Sequence, residues 1–350
     1  MIKLAIVGTG DMAHEHAKAF NKIEDVKIVA ACDVKKNKLV DFVNTYNIEY
    51  SFTSFDELLS SCEVDAISNT TPDSFHKEIA IKSLRNNKHI FSEKPLATNY
   101  SDALEMYEET TKKKLINMVN FSYRNSSGYQ ELAKIVQSGE LGSVKHVEAV
   151  YYLSWLTSKN QGDWKVDEHL KWRLSTKHGS LGVLGDTGVH IIDFATYPVG
   201  RLKRINTLLK TFKDKGEKLG EYVLDANDTF VSMVEFEQGA VGTITSTRFG
   251  TGYRNRLDLK IFCDKGAVRI NFDEPVSEGN YYEIARDIDS KDMYWEKIAT
   301  LPTPSNFERF IKSIKNGQND QPDFKRGAEI QKVIAVSYTH LRAHETEADL

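Results

Sequence analysis

Cysteine is scarce: Cys32, Cys62 and Cys263 are the only three in 350 residues, widely spaced and with no CxxC pair. That argues against a disulfide framework and against a zinc knuckle. No apolar run approaches the length of a membrane span. The opening Met1-Ile2-Lys3-Leu4-Ala5-Ile6-Val7 lacks the basic start and long apolar stretch of a secretory signal, and reads as strand. A reducing, cytoplasmic setting is the expectation. An excess of charge of one sign is missing too. Lys and Arg total 46 against 50 Asp and Glu, a net charge of -4, which gives no broad electrostatic reason to expect nucleic acid or an anionic membrane. There is no internal repeat and no low-complexity segment. What remains is an ordinary globular balance, 40% hydrophobic and 27% charged. At this length one core rarely serves, so two domains are expected.

The first 120 or so residues alternate short apolar runs with amphipathic stretches of helical length. Strands are expected at 3–8, 26–33, 50–52, 65–71, 89–94 and 115–121. Helices are expected from the glycine turn to 21, and at 35–46, 54–60, 74–86 and 101–113. This alternation predicts a parallel, doubly wound sheet of Rossmann type. After Tyr123 strands dominate, at 144–152, 204–212, 228–235, 240–249, 256–263 and 266–271, with helices at 128–137 and 184–198. Gln238-Gly239 and Asp264-Lys265-Gly266 supply hairpin turns. The expectation is an α+β domain with a large, mostly antiparallel open sheet, closed by helices at 307–315 and 325–336. The predicted domains are 1–122 for the dinucleotide and 123–336 for substrate and oligomerisation. Residues 337–350 break the apolar period and are read as a non-native tail, so His340 and His344 are set aside.

Gly8-Thr9-Gly10-Asp11-Met12-Ala13 follows an apolar strand and opens a helix. The first glycine permits the tight turn, the second lets backbone approach a pyrophosphate, and Ala13 allows close helix–strand packing. The helix N-terminus offers free N–H groups to phosphate. Asp33 ends the second strand, where a carboxylate meets the adenosine ribose diol and repels a 2′-phosphate. NAD is therefore expected. Lys35 and Lys36 lie close by and leave NADP open, and Asp33 can equally cap the next helix.

Thr70-Thr71-Pro72-Asp73-Ser74-Phe75-His76 and Glu93-Lys94-Pro95 both fall at carboxyl ends of strands, beside the crevice where such sheets bind ligands. In the second half, Gly179 to Asp193 carries Asp186 and His190 at i, i+4 spacing, which puts them on one face of a helix. With the glycine turn, these segments resemble the Gfo/Idh/MocA family (glucose–fructose oxidoreductase, inositol dehydrogenase, rhizopine catabolism) over the chain up to about Val336. The resemblance implies a catalytic set of Lys94, Asp186 and His190. It implies cofactor contacts from Gly8, Thr9, Gly10, Asp11, Met12, Asp33, Thr70, Thr71, Pro72, His76, Glu93 and Lys94. Asn120-Phe121-Ser122-Tyr123-Arg124 resembles a segment lining the nicotinamide pocket.

The residue types suit oxidation of a secondary alcohol. Histidine as a residue type titrates near neutrality, which makes His190 the natural base. Lys94 can stabilise developing alkoxide charge or relay the proton, and Asp186 can hold His190 or a substrate hydroxyl. Tyr123 can touch substrate or serve as a hinge. Trp172-Arg173 can supply a stacking face and a hydroxyl-binding fork, or simply pack. Trp155 and Trp164 lie in an aperiodic stretch read as a loop over the site, and His14 and His16 read as structural. Asp186, His190 and Asp193 have no second ligand cluster, so no metal is expected. The leading reading is a dehydrogenase of a sugar, inositol or related polyol acting as a homodimer or homotetramer. Two alternatives stay open: glycoside cleavage through transient redox, and a non-catalytic dinucleotide-dependent sensor or co-regulator.

Overall fold

The computed structural model describes residues 1–273, 280–286, 289 and 294–344. The chain forms two compact units, Met1–Ser122 with Pro304–Gln331, and Tyr123–Thr303 with the chain from Lys332 onward.

In the first unit, β1 (Ile2–Val7), β2 (Val26–Cys32), β3 (Tyr50–Phe52), β4 (Ala66–Asn69), β5 (His89–Ser92) and β6 (Asn117–Val119) make a sheet of order β3-β2-β1-β4-β5-β6. Every pairing in it is parallel. Leu4, Ala5, Ile6, Ala30 and Ala31 are fully buried, as expected of parallel strands covered on both faces. The helices are α1 (Asp11–Phe20), α2 (Lys36–Tyr46), α3 (Phe55–Ser61), α4 (His76–Arg85) and α5 (Tyr100–Lys113). Strand order reverses between β1 and β4, the topological switch point of a doubly wound sheet. The glycine turn and Thr70 meet there.

Residues 304–331, read from the sequence as part of a 123–336 domain, cluster instead with the first 122 residues. The cause is the amphipathic helix Asn306–Asn316. It puts Phe307, Phe310 and Ile311 into the core formed by Phe20, Phe91 and Met118, and Phe91 and Phe307 stack at 4.9 Å. A Ser305–Glu308 capping box starts that helix.

In the second unit, α6 (Ser127–Ser138) and β7 (Val144–Leu153) come first. The short α7 (Glu168–Lys171), α8 (Gly182–Asp186) and α9 (Gly188–Val199) follow. Next are β8 (Leu202–Lys210), the small hairpin of β9 (Lys218–Leu219) with β10 (Tyr222–Val223), then β11 (Thr229–Phe236), β12 (Val241–Thr247), β13 (Asn255–Cys263), β14 (Gly266–Asp273), β15 (Tyr281–Ala285) and β16 (Glu296–Ala299). The large sheet has order β16-β15-β14-β13-β7-β12-β11-β8. It is antiparallel except where β12 runs parallel to β7. Alternate residues of β7, β11, β12 and β13 are buried, and α6 and α9 pack on this sheet. Other positions of β8, β11 and β12 stay open: Leu208 is 65% exposed and Met233 63%.

The helix expected over 184–198 is divided at Thr187, with Gly185 and Gly188 on either side. Both glycines are tightly enclosed, Gly185 by Leu181 and Gly188 by Leu184 and Phe230. The closing helix, here α11 after α10 (Asn306–Asn316), runs Phe324–His344, past the expected end at Val336. Ser337 is buried and bonds back to the Val333 carbonyl, while Tyr338 bonds the Leu181 carbonyl. The rest of the segment read as a non-native tail, from 345 on and for side chains from 339 on, lies outside the described residues.

Candidate functional site

The dinucleotide half sits at the carboxyl ends of β1, β2, β4 and β5. Gly8 adopts φ +88, and a Cβ there would lie 2.6 Å from the Thr70 carbonyl oxygen. Only glycine fits that turn. Gly10 caps α1 without a side-chain bond, and a Cβ on it meets nothing within 4 Å. Open space over an uncapped helix N-terminus is what a pyrophosphate needs, so these residues fit a dinucleotide. Asp11 and Met12 form the first turn of α1, both exposed, and Ala13 is buried against the sheet.

Asp33 Oδ2 accepts from the Thr9 amide at 2.8 Å and the Thr9 hydroxyl at 2.9 Å. Its Oδ1 accepts from the Lys35 amide at 2.8 Å. The carboxylate therefore ties the glycine turn to the start of α2 while remaining half-exposed at the strand end. It caps no amide of α2 itself, whose N-cap residue is Lys35, and its half-exposed face is compatible with ribose recognition.

Thr70 donates to the Val7 and Gly8 carbonyls, and Thr71 donates to Asn69 Oδ1. Pro72 precedes the turn Asp73–Phe75 that leads into α4. His76, expected as a cofactor contact, is fully buried. Its ring nitrogens lie 2.7 Å from the Pro95 carbonyl and 2.9 Å from that of Thr71. It joins the Thr71 loop to the loop after Lys94.

Glu93 also faces inward. His16 Nε2 lies 2.9 Å from its Oε1 and Asn120 Nδ2 donates to the same oxygen at 2.6 Å. The Lys94 amide donates to Oε2, Ser68 holds His16 Nδ1 at 2.8 Å, and Asn306 donates to Asn120. Burial raises the Glu93 carboxyl, but His16, Asn120 and Lys94 outweigh it and pull it down to about 2. His16, read as structural from the sequence, thus anchors the residue beside Lys94. Lys94 is half-buried.

In the second unit Asp186 ends α8 and His190 lies in the first turn of α9. Asp186 Oδ1 is 3.1 Å from Arg173 and Oδ2 is 3.4 Å from Arg248. His190 is buried, and its ring meets Tyr123 edge to face at 5.1 Å. Tyr123 and Tyr151 join hydroxyls at 2.7 Å. Trp172, half-buried, lies under the Arg173 guanidinium at 4.8 Å. Trp155 and Trp164, expected in a loop, are both buried. Arg248 was not read from the sequence, because an arginine just after a strand looks like any surface arginine. Asp193 is taken by Arg124, bonded at 2.7 and 2.5 Å in the interior. Among the described residues no group of three or more His, Cys, Asp or Glu is placed to hold a metal ion, and no helix is long and apolar enough to cross a membrane.

Residues 2–121 match the family described as "Oxidoreductase family, NAD-binding Rossmann fold", and 129–269 match the "GFO/IDH/MocA C-terminal domain". The chain is 26% identical to myo-inositol 2-dehydrogenase of Thermotoga maritima, an alignment covering 98% of this chain and 96% of that one. It is 25% identical to levoglucosan dehydrogenase of Pseudarthrobacter phenanthrenivorans, covering 78% of this chain and 74% of the relative. A solved levoglucosan dehydrogenase, in complex with NADH and levoglucosan, shares the fold with a TM-score of 0.86, at 22% identity over 98% of this chain and 97% of that one. The chain belongs to the Gfo/Idh/MocA family of oxidoreductases, and its first unit is an NAD-binding Rossmann domain.

Proposed function

We propose that the chain oxidises a secondary alcohol of a sugar, inositol or related polyol, with Lys94, Asp186 and His190 acting on the substrate. The observation that carries this reading is the polar cluster of Arg173, Asp186 and Arg248, whose carboxylate ends α8 four residues before His190 in the first turn of α9. Convergent donors around an anionic acceptor suit a hydroxyl-rich ligand, in a chain whose glycine turn is built for a dinucleotide. Bound NAD supplies the hydride acceptor. His190 takes the hydroxyl proton. Lys94 donates to the same oxygen as negative charge develops on it. Asp186 accepts from a substrate hydroxyl and orients the sugar ring, and Arg173 offers a further donor. The activities in the names of the relatives, on inositol and on levoglucosan, support this substrate class.

The test is a panel of levoglucosan, myo-inositol, glucose, glucose 6-phosphate and a sugar acid with NAD or NADP, followed by NADH or NADPH absorbance. Oxidation of at least one member is expected, with NAD preferred. His190→Ala should lower kcat by about 100- to 10,000-fold with NADH binding near normal. Turnover of the variant at the wild-type rate refutes the role of base. The open apolar positions Leu208, Val231, Met233 and Val241 support a homodimer or homotetramer formed through the large sheet, which light scattering on the purified chain tests.

A further inference from the structure

Arg248 is the largest charged side chain of the second unit with no exposed surface apart from Arg124. It follows β12 directly, and its backbone is fixed on both sides: its amide donates to the Asp228 carbonyl at 3.0 Å, and its carbonyl accepts from Leu156. Its guanidinium lies over the Trp155 ring at 4.8 Å. One terminal nitrogen donates to the Arg173 carbonyl at 3.0 Å, and the other faces Asp186 at 3.4 Å. A buried cation is costly unless a carboxylate answers it. The nearby Lys215–Asp228 pair is closed on itself at 2.5 Å, with both side chains buried. The Asp228 carboxylate is also taken by the Phe212 amide. Among the described residues Asp186 is thus the carboxylate within ion-pair distance of Arg248, and that carboxylate is also held by Arg173.

We propose that Arg248 is a positioning residue that acts through two neighbours, fixing the Asp186 carboxylate by charge and the Arg173 backbone by hydrogen bond. The inference rests on the reading of Asp186 as a residue that touches substrate. It assigns separable duties to one guanidinium. The fixed Asp186 carboxylate orients the sugar ring for the chemical step, whereas the grip on the Arg173 carbonyl sets where the Trp172-Arg173 segment meets substrate. A planar fork performs both at once, and an ammonium reaches only one partner.

The experiment uses the full chain with NAD and the best substrate of the panel above. Arg248→Gln, Arg248→Lys, Asp186→Asn and the double variant Arg248→Gln/Asp186→Asn are compared in kcat, KM, NADH affinity and Tm. Arg248→Gln should lower kcat by roughly 10- to 100-fold, the range typical of groups that orient a functional side chain, with NADH affinity unchanged. Arg248→Lys should return kcat to within about threefold of wild type while KM stays raised, since the charge is restored and the bond to Arg173 is not. In kcat the double variant should be no worse than Asp186→Asn alone, because the charge on Arg248 then has no carboxylate to fix, while its KM should rise further through the lost bond to the Arg173 carbonyl. If Arg248→Gln does not fold, the Lys variant decides, and equal kcat and KM to wild type overturns the proposal. Parallel loss of Tm and active fraction with kcat per folded site and KM unchanged also overturns it. An inactive Asp186→Asn beside a fully active Arg248→Gln refutes this inference and leaves the function standing. A fully active Asp186→Asn, or a wild type that oxidises no member of the panel, removes the functional reading and the inference with it.

Discussion

The two glycines of the dinucleotide turn should respond in opposite ways to the same methyl group. At Gly8 an alanine meets two penalties. The left-handed backbone, φ +88, costs an L-residue about 1–2 kcal/mol. The added Cβ would sit 2.6 Å from the Thr70 carbonyl oxygen and 2.8 Å from the Thr71 nitrogen. Neither can give way cheaply, since Thr70 is bound to β1 through its amide and its hydroxyl. Forced overpacking of this kind costs about 1–3 kcal/mol, so Gly8→Ala should destabilise the first unit by about 3 kcal/mol. At Gly10 the backbone is extended, φ -81 and ψ -169, and the Cβ has open space. The entropy gain in the unfolded chain, roughly 0.4–1 kcal/mol, offsets the roughly 0.5–1 kcal/mol lost by putting alanine in place of glycine at a helix N-cap. Gly10→Ala should therefore fold with wild-type stability within about 0.5 kcal/mol, yet bind NADH about tenfold or more weakly, because the methyl occupies the space through which backbone approaches the pyrophosphate. Urea unfolding followed by circular dichroism and NADH titration by fluorescence read the two effects separately. Unchanged NADH affinity in Gly10→Ala refutes the close-approach argument, and an unchanged unfolding midpoint in Gly8→Ala refutes the strain argument.

Three further expectations follow from charged groups. Glu93 sits at about 2 against an ordinary 4.5, a depressed carboxyl whose stabilisation is complete above pH 4.5 and lost as pH falls through 2. That shift corresponds to on the order of 3 kcal/mol at neutral pH, so Glu93→Gln should lower Tm at pH 7 and narrow its gap from wild type as the pH approaches 2. Parallel Tm curves for the two proteins over that range would contradict this. Asp33→Ala should raise the NADP/NAD ratio of kcat/KM by about tenfold or more, since the group repelling a 2′-phosphate is gone; a wild type already selective for NADP would overturn the reasoning. Lys215→Met leaves Asp228 buried without its cation and should cost about 3–5 kcal/mol, part of it recovered in Lys215→Met/Asp228→Asn, as measured by chemical unfolding.

The parts of this molecule that were legible in the sequence are those whose physics is local. Gly8 and Gly10 follow a strand and open a helix, and their roles depend on a few neighbouring bonds. The alternation of strands and helices in the first 120 residues, and the hairpins at Gln238-Gly239 and Asp264-Lys265, have the same local origin. Asp33 could be placed at the carboxyl end of β2, just ahead of α2, because both elements are set by local pattern. What stayed hidden depends on partners far along the chain. The face of Asn306–Asn316 announces that it will be buried, but nothing in it says which core will take it. Arg248 is buried because of a carboxylate 62 residues earlier, and no local pattern reports that. Glu93 and His76 sit in the right motifs, yet which way each side chain turns is settled by His16, Asn120, Pro95 and Thr71.

The placement of α10 has a consequence for how the chain is made. The core of the dinucleotide unit contains Phe307, Phe310 and Ile311, so its first 122 residues emerge from the ribosome with an aromatic face of Phe20 and Phe91 still uncovered. Almost the whole second unit is synthesised before the missing rings arrive. During translation the first unit is a vessel without its lid, and a fragment cut at Ser122 keeps that state permanently.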